Sequence, residues 1–409
     1  MKNNIPQGYK ATALGFIPQE WEVRPLNYLG AICSGGTPDT EVAEYWNGDI
    51  AWCTPSDITK LDTKYIESTE VKITAKGLKE SSATLLPPRS IVVCTRATIG
   101  NAAICNTEIA TNQGFKNIIP NEKTNPEWLY YIIIYSKPRL VRLGCGSTFL
   151  EVSKKDFSRF KIAVPPLAEQ RKIAEVLGVW DEAIEKQARL IEKLALRKLA
   201  LMQRLLSAKL RLPGFSEPWQ NVKFCELFTK SIKTAEPLKK YEVLSVTKEG
   251  IVAQKSYFNK DIASEDTSKY IVVERGDLAM SGLNFWMGSC HILTNFDEGI
   301  ISPAYKVFKV TEHNNIDFIR DFVRSSMFLQ ALQGCSVIGA SIVRRNLDKE
   351  MLYEWTFKIP SLKEQTAIAE VLTAADREIE LAKEKLERLR RQKRGLMQQL
   401  LTGKKRVKY

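Results

Sequence analysis

PPLAEQRKIAEVLGVWDEAIEKQARLIEKLALRKLALMQRLL, residues 165–206, is written again as PSLKEQTAIAEVLTAADREIELAKEKLERLRRQKRGLMQQLL, residues 360–401. The blocks align without a gap, 195 positions apart, with Glu169-Gln170 on Glu364-Gln365 and Leu201-Met202-Gln203 on Leu396-Met397-Gln398. A period this long marks duplicated modules rather than a short-unit solenoid. Apolar positions recur in alternating steps of four and three. The stripe runs Ile173, Leu177, Trp180, Ile184, Gln187, Ile191, Leu194, Lys198, Leu201, Leu205 in the first block. In the second it runs Ile368, Leu372, Ala375, Ile379, Ala382, Leu386, Leu389, Lys393, Leu396, Leu400. Such spacing keeps side chains on one face of a helix and favours knobs-into-holes pairing, a coiled coil. The alternative is two amphipathic helices that each cover a core. A proline just before each helix suits a clean helix start. Equivalent helices in a two-module chain can fold with a pseudo-twofold axis, and duplex DNA has a backbone of that symmetry.

Outside the helices the chain alternates apolar, β-branched runs with polar turns. IAWCTPSDI (50–58), SIVVCTRATIG (90–100) and FKNIIP (115–120) read as strands, as do YEVLSV (241–246), YIVVERGDLAMSG (270–282) and AYKVFKV (304–310). A helix follows in each half, over 126–144 and 316–334, each closing on glycine. Each module opens on a tryptophan after a proline-containing turn, Trp21 and Trp219. The reading is an α/β (α+β) chain in five parts. These are a loosely ordered lead-in (1–15), a globular region (16–160), a helix region (161–210), a second globular region (211–357) and a second helix region (358–409). The globular regions have diverged far more than the helices.

The 409 residues suffice for two or three cored domains, and 44% hydrophobic content marks a globular chain. A net charge of +13 favours an anionic partner without choosing nucleic acid over membrane. The polar start MKNNIPQGYK predicts no secretory signal, and no run approaches the roughly 18 apolar residues of a membrane span. Eight scattered cysteines without a Cys-x-x-Cys pair read as reduced cytosolic thiols. The expected location is the cytoplasm.

Enzyme signatures are sparse. There is no phosphate-binding G-x-x-x-x-G-K-[ST] loop, no G-x-G-x-x-G after a strand and no zinc-type Cys/His spacing. His291 and His313 share no obvious site. Ser302-Pro303-Ala304-Tyr305 approaches the Asn/Asp/Ser-Pro-Pro-Tyr/Phe motif of amino-methyltransferases but lacks its second proline. It aligns with Asn112-Gln113-Gly114-Phe115, each followed by a lysine, so a structural role is favoured. No catalytic residue and no metal ligand is assigned. What remains are polar and aromatic loop residues of the kinds that read base edges. In the first region these are Thr37, Trp52, Thr54, Ser56, Arg96, Thr98, Asn112, Gln113, Ser147 and Thr148. In the second they are Thr247, Lys248, Tyr257, Ser281, Asn284, Trp286, Ser302, Ser341, Arg344, Arg345 and Asn346. Taken singly, each is better explained as a turn or surface residue than as a base reader; Arg344-Arg345 is the best candidate for a phosphate or a base.

Taken together, PPLAEQRKIAEVL and IPSLKEQTAIAEVL, with LMQRLL and LMQQLL downstream, resemble the specificity subunits of Type I restriction-modification systems. Arg96-x-Thr98-Ile99-Gly100 with TNQGFK (111–116), and SPAY (302–305), resemble that family's target-recognition domains. The likeness covers nearly the whole chain in the family's order. It implies a non-catalytic DNA reader in which each recognition domain binds one half of a bipartite target. It implies that the helices pair antiparallel, set the gap, and dock two DNA-adenine methyltransferase subunits, with restriction/translocase subunits joining for cleavage. S-adenosylmethionine, Mg²⁺ and ATP would then belong to those partners, with no cofactor in this chain. Two other classes compete: a solitary DNA adenine methyltransferase-like enzyme, and a coiled-coil scaffold without DNA contact. An antiparallel register that sets Ile173 against Leu400 and Leu205 against Ile368 places Lys393 opposite Trp180, Lys198 opposite Ala375, and Gln187 near Leu386. Trp180 would then offer Lys393 an aromatic face.

Overall fold

The computed structural model describes residues 5–144, 150–236, 241–257, 266–338 and 345–408. The repeated blocks form continuous helices, Leu167–Leu205 and Leu362–Leu400, of 39 residues each, so each is about 58 Å long at 1.5 Å per residue. The chain separates into two units that do not follow the serial order read from the sequence. One is 1–189 with 383–409, and the other is 190–382. Each long helix contributes part of its length to each unit. A helical stripe says which face is buried; it does not say against which region.

In the first unit a five-stranded sheet runs in the order Gly30–Ser34, Lys116–Pro120, Ile91–Val93, Ala102–Cys105, Tyr65–Ile66. A smaller sheet sets Trp46–Cys53 between Ile109–Thr111 and Lys72–Ile73. Several inferred strands are shorter than their apolar runs; Pro55, for example, starts a helical turn directly after Cys53. The strand Lys161–Val164 lies in the expected helix region but pairs antiparallel with Glu22–Pro25 and closes the recognition region on itself. The helix Pro126–Val141 begins at Asn125, whose side chain accepts from Trp128 N. The core joins this helix (Trp128, Leu129, Ile132, Ile133) to Ile173, Ala174 and Leu177 and to Met397, Leu400 and Leu401. The start of one long helix and the end of the other thus share one core, which makes the helix segments antiparallel here. The lead-in is not loose: Tyr9–Thr12 and Gly15–Pro18 form a hairpin, and the Tyr9 hydroxyl donates to Gly403 O at 2.9 Å.

The second unit repeats the plan. Its main sheet runs Phe228–Lys230, Lys306–Val310, Leu278–Met280, Cys290–Ile292, and Gln220–Lys223 with Thr356–Ile359 is the closing pair. The helix expected over 316–334 is two, Ile316–Phe322 and Ser326–Gly334. The break falls at Ser325, whose hydroxyl caps the second piece by accepting from Phe328 N at 3.2 Å, the usual work of a serine at a helix start. Met202, Leu205 and Leu206 share a core with Ile368, Ala369 and Leu372, again an antiparallel arrangement.

The repeated Glu-Gln is the joint between helix and recognition region. Glu169 accepts from Trp21 Nε1 at 2.8 Å and from Arg406 Nε and Nη2 at 2.6 and 3.0 Å. Glu364 accepts from Trp219 Nε1 at 3.1 Å and from Arg211 Nε and Nη2 at 2.6 and 2.9 Å. Both carboxylates are buried, and a bidentate guanidinium plus an indole N–H is the kind of full satisfaction a buried carboxylate requires. Gln170 accepts from Asn125 N and donates to Pro165 O; Gln365 does the same with Asn315 N and Pro360 O. Each glutamine therefore ties the first turn of a long helix to the cap of the recognition-region helix.

Every apolar stripe position of the long helices is buried or half-buried. The buried stripe lysines mark the register. Lys198 donates to Asp376 at 2.5 Å and lies 3.7 Å from Asp321. Lys393 pairs with Asp181 and sits 5.0 Å from the Tyr131 ring centroid. The antiparallel register holds to within one residue, but the aromatic partner differs from expectation: the Lys393 ammonium goes to Asp181 and Tyr131 instead of Trp180. A carboxylate one residue along is a stronger partner for a half-buried cation than an indole face.

Candidate nucleic-acid interface

In the first unit the parallel pairing of Ile109–Thr111 with Ala51–Cys53 ends both strands at one edge. Four loops collect there. Asn112 N donates to Cys53 O at 3.0 Å, Gly36 N to Thr111 O at 2.9 Å, and Thr95 N to Gly114 O at 2.8 Å. A Cβ on Gly35 would lie 1.8 Å from Asn112 O, so only glycine lets the backbones approach this closely. Thr37, Thr54, Ser56, Arg96, Asn112 and Gln113 are brought together on these loops. Thr37 donates to the Gln113 side chain, which is exposed. Arg96 bridges Glu151 through its backbone, and Thr98 N donates to Arg96 O at 2.7 Å.

Three of these expectations change. Trp52 is buried and its indole donates to Gly36 O at 2.9 Å, so it is a strut beneath the loops and not a base reader. The Thr54 hydroxyl and backbone N–H both donate to Asp57, at 2.6 and 2.7 Å, which makes it a helix cap. Asn112 Oδ1 accepts from Gly114 N at 2.9 Å, which ties the side chain into the loop and leaves its Nδ2 amide group as the free donor for a ligand. Ser147 and Thr148 lie outside the described residues.

The second unit assembles an equivalent edge with different chemistry. A Cβ on Gly282 would fall 1.9 Å from Ala304 O, so loops 281–286 and 302–305 touch. Ser281 is buried and its hydroxyl accepts from Leu283 N and Asn284 N at 3.4 and 3.1 Å, holding the loop ahead of the 3-10 turn, a structural role that corrects its assignment as a reader. Asn284 is exposed and Ser302 half-buried. The Arg345 guanidinium lies 4.3 Å from the Trp286 ring centroid, and its Nη1 donates to Ser336 Oγ at 3.0 Å. Trp286 Nε1 and Arg345 Nε are buried without a partner among the described residues. Asn346 is exposed beside them. Thr247 and Lys248 lie elsewhere, in the turn between Leu244–Val246 and Ile251–Ala253, where Thr247 O accepts from His291 Nε2 at 3.0 Å. Burial lowers the pKa of that histidine. Tyr257 is exposed on the following short helix. Ser341 and Arg344 lie outside the described residues.

Residues not singled out from the sequence also belong to these edges. Lys116 is buried and its Nζ stands 3.4 Å from Glu151 Oε1. Asn117, fully buried, donates to Thr111 Oγ1 at 2.8 Å and holds the loop that carries Asn112. The signal for Lys116 was its position after Phe115, matched by Lys306 after Tyr305. The described cysteines are free, and burial raises Cys94 to about 11 and Cys105 to about 12, which makes them unreactive packing groups. No helix among the described residues is long and apolar enough to cross a membrane.

The family model of the Type I restriction modification DNA specificity domain matches residues 18–195 and again 216–391. The chain belongs to this family. Two copies of the family domain account for the repeat, each spanning a recognition region and most of the long helix after it. Among relatives, the Type I restriction enzyme MjaIX specificity subunit of Methanocaldococcus jannaschii is 39% identical over 46% of this chain and 45% of its own length. The EcoR124I/EcoR124II specificity subunit of Escherichia coli is 30% identical over 42% of this chain and 44% of its own. These two alignments span about half the length of each relative. The MjaVIII specificity subunit of M. jannaschii is 25% identical over 96% of this chain and 94% of its own length. A chain from a structural study of complex assembly and conformational transition in the type I R-M system superposes with a TM-score of 0.60 at 17% identity, over 95% of this chain and 99% of that one. The HsdS subunit of Thermoanaerobacter tengcongensis gives 0.50 at 17%, over 95% and 98%. These two likenesses establish the family's α/β fold.

Proposed function

We propose that the chain is the DNA-reading specificity subunit of a Type I restriction-modification complex, without catalysis of its own. Each recognition region reads one half of a bipartite duplex target, and the long helices set the gap between halves. The observation that carries this reading is the contrast within the repeat. The joint at Glu169 and Glu364 is the same in both units, while the loop edges differ: Thr37, Gln113 and Arg96 on one, Asn284, Trp286 and Arg345 on the other. Constant scaffolding with variable polar loops is what a reader of two unlike half-sites requires. Two DNA-adenine methyltransferase subunits would dock on the chain and restriction/translocase subunits would join them. S-adenosylmethionine, Mg²⁺ and ATP would be held by those partners, and the complex would work in the cytoplasm. Family membership favours this over the solitary methyltransferase and the inert scaffold.

The test is a domain exchange. Residues 20–150 are replaced by the first recognition region of another family member, and the methylated motif is mapped in cells carrying the methyltransferase. One half of the motif should change and the other persist. Change in both halves, or in neither, would overturn the reading.

A further inference from the structure

The two units differ at one equivalent lysine. Lys116 and Lys306 each open the second strand of their sheet, directly after the loop at the candidate interface. The register makes them counterparts: Ile118 pairs with Ile91 in one unit and Phe308 with Leu278 in the other. Lys116 is buried and neutralised by Glu151, two residues ahead of the helix-capping Ser153. Two residues ahead of the corresponding cap, Asp348, stands Asn346. Lys306 is half-buried, and no carboxylate among the described residues lies within ion-pair distance of it. Asp348 itself is used as a cap, accepting from Met351 N at 3.0 Å.

Further positive charge surrounds Lys306. Lys349 begins the helix that Asp348 caps, and Lys230 ends the neighbouring strand; both are exposed. In the first unit the position matching Lys230 is Ile32, since Ile32 pairs with Ile118 as Lys230 pairs with Phe308. Burial, with Lys349 and Lys230 adding to it, pulls the Lys306 ammonium below the usual lysine pKa. Lys230 lies on the neighbouring strand opposite Phe308, two residues along from Lys306, and Lys349 follows the cap whose first-unit counterpart, Ser153, stands two residues from the Glu151 that meets Lys116; ammonium groups gathered at one loop edge are stabilised by an anion that spans them.

We propose that Lys306, Lys230 and Lys349 form a phosphodiester site that holds the DNA backbone against the second recognition region, and that the first region has no equal because Glu151 occupies its lysine. This rests on the DNA-reading function above. The two half-sites would then be held unequally, the second with more electrostatic and more salt-sensitive contact.

The experiment measures binding of the full-length chain, with its methyltransferase partners, to a fluorescent duplex carrying the mapped motif and to one with a scrambled motif, over 50–200 mM KCl. Each lost phosphate contact should reduce the slope of log K against log salt by about 0.9. Over this fourfold range that makes binding about 3.5-fold less salt-sensitive. K306Q and K349Q should each show this with the motif preference unchanged, and N346E, which supplies the carboxylate of the first unit, should lower the slope as well. Lys349 is exposed, so K349Q keeps the test sound should K306Q fold poorly. Slopes equal to wild type in K306Q and K349Q would overturn the site while leaving the reading intact, provided wild type prefers its motif. A changed motif preference at unchanged slope would make Lys306 a base reader and overturn it too. A wild-type complex indifferent to the motif would remove the DNA-reading function and this site with it.

Discussion

Replacing Glu364 by alanine removes the acceptor shared by Arg211 Nε, Arg211 Nη2 and Trp219 Nε1, at 2.6, 2.9 and 3.1 Å. The carboxylate is 2% exposed, so water does not compete for it in the native state. Breaking a buried ion pair from one side costs about 3–5 kcal/mol, because the remaining charge is left without a partner. The Arg211 side chain is 25% exposed and recovers some hydration, which favours the lower part of that range. At about 2–4 °C per kcal/mol for a region of this size, the second unit should melt about 6–12 °C earlier. Trp219 lies in the network, so its fluorescence can follow urea and thermal unfolding. Arg211→Met alone should also destabilise, and the double variant should cost less than the sum by about 1.5–3 kcal/mol, the coupling of groups that share one bond set. A Glu364→Ala loss below about 1 kcal/mol, or strict additivity in the double variant, would refute the assignment of this glutamate as the joint.

Other outcomes follow from the same structure. Asp376→Ala should destabilise the second unit by only about 1 kcal/mol, because Asp376 is half exposed and Lys198 keeps Asp321 at 3.7 Å; chemical denaturation decides, and a loss above about 3 kcal/mol would contradict this. Asp277 is held above the usual carboxylate range chiefly by burial. A raised folded-state pKa gives stability that is present below the unfolded value and lost as pH rises through the folded one, so Asp277→Asn should gain stability at pH 7 and show no gain near pH 3 in paired melts. Inserting two heptads into both long helices lengthens them by about 21 Å, or about six base pairs. Methylation mapping should find the gap widened by that amount, and an unchanged gap would contradict the ruler.

The helices were legible because a four-three stripe leaves few other solutions, and every position on it is buried or half-buried. The Glu-Gln pair was visible as a repeat, but its meaning was not. Glu169 needs Arg406 and Glu364 needs Arg211, and both arginines lie beyond the aligned blocks. The same offset of 195 positions relates them, so the signal was present in a region where the surrounding residues no longer match. The hairpin at Tyr9–Pro18 was hidden because its strands are only four residues long and it gains its order from contact with Gly403, 394 residues away. At the interface, polar residues of one chemical type divide by role only in three dimensions. Thr54 is consumed by a helix cap and Ser281 by a loop turn, whereas Gln113 and Asn284 stand exposed.

The interleaved units impose an order on biosynthesis. The second unit is a continuous stretch, 190–382, and can finish folding once that stretch has left the ribosome. The first begins earlier but is completed later, because Glu169 meets Arg406 only after 237 more residues are made. At about 5–20 residues per second that wait is roughly 10–50 s. During it, the apolar surface that Met397, Leu400 and Leu401 will cover stays open to solvent. A nascent chain in that interval is a natural client for a holding chaperone. A stop codon near residue 395 would therefore harm the module translated first more than the one beside the break.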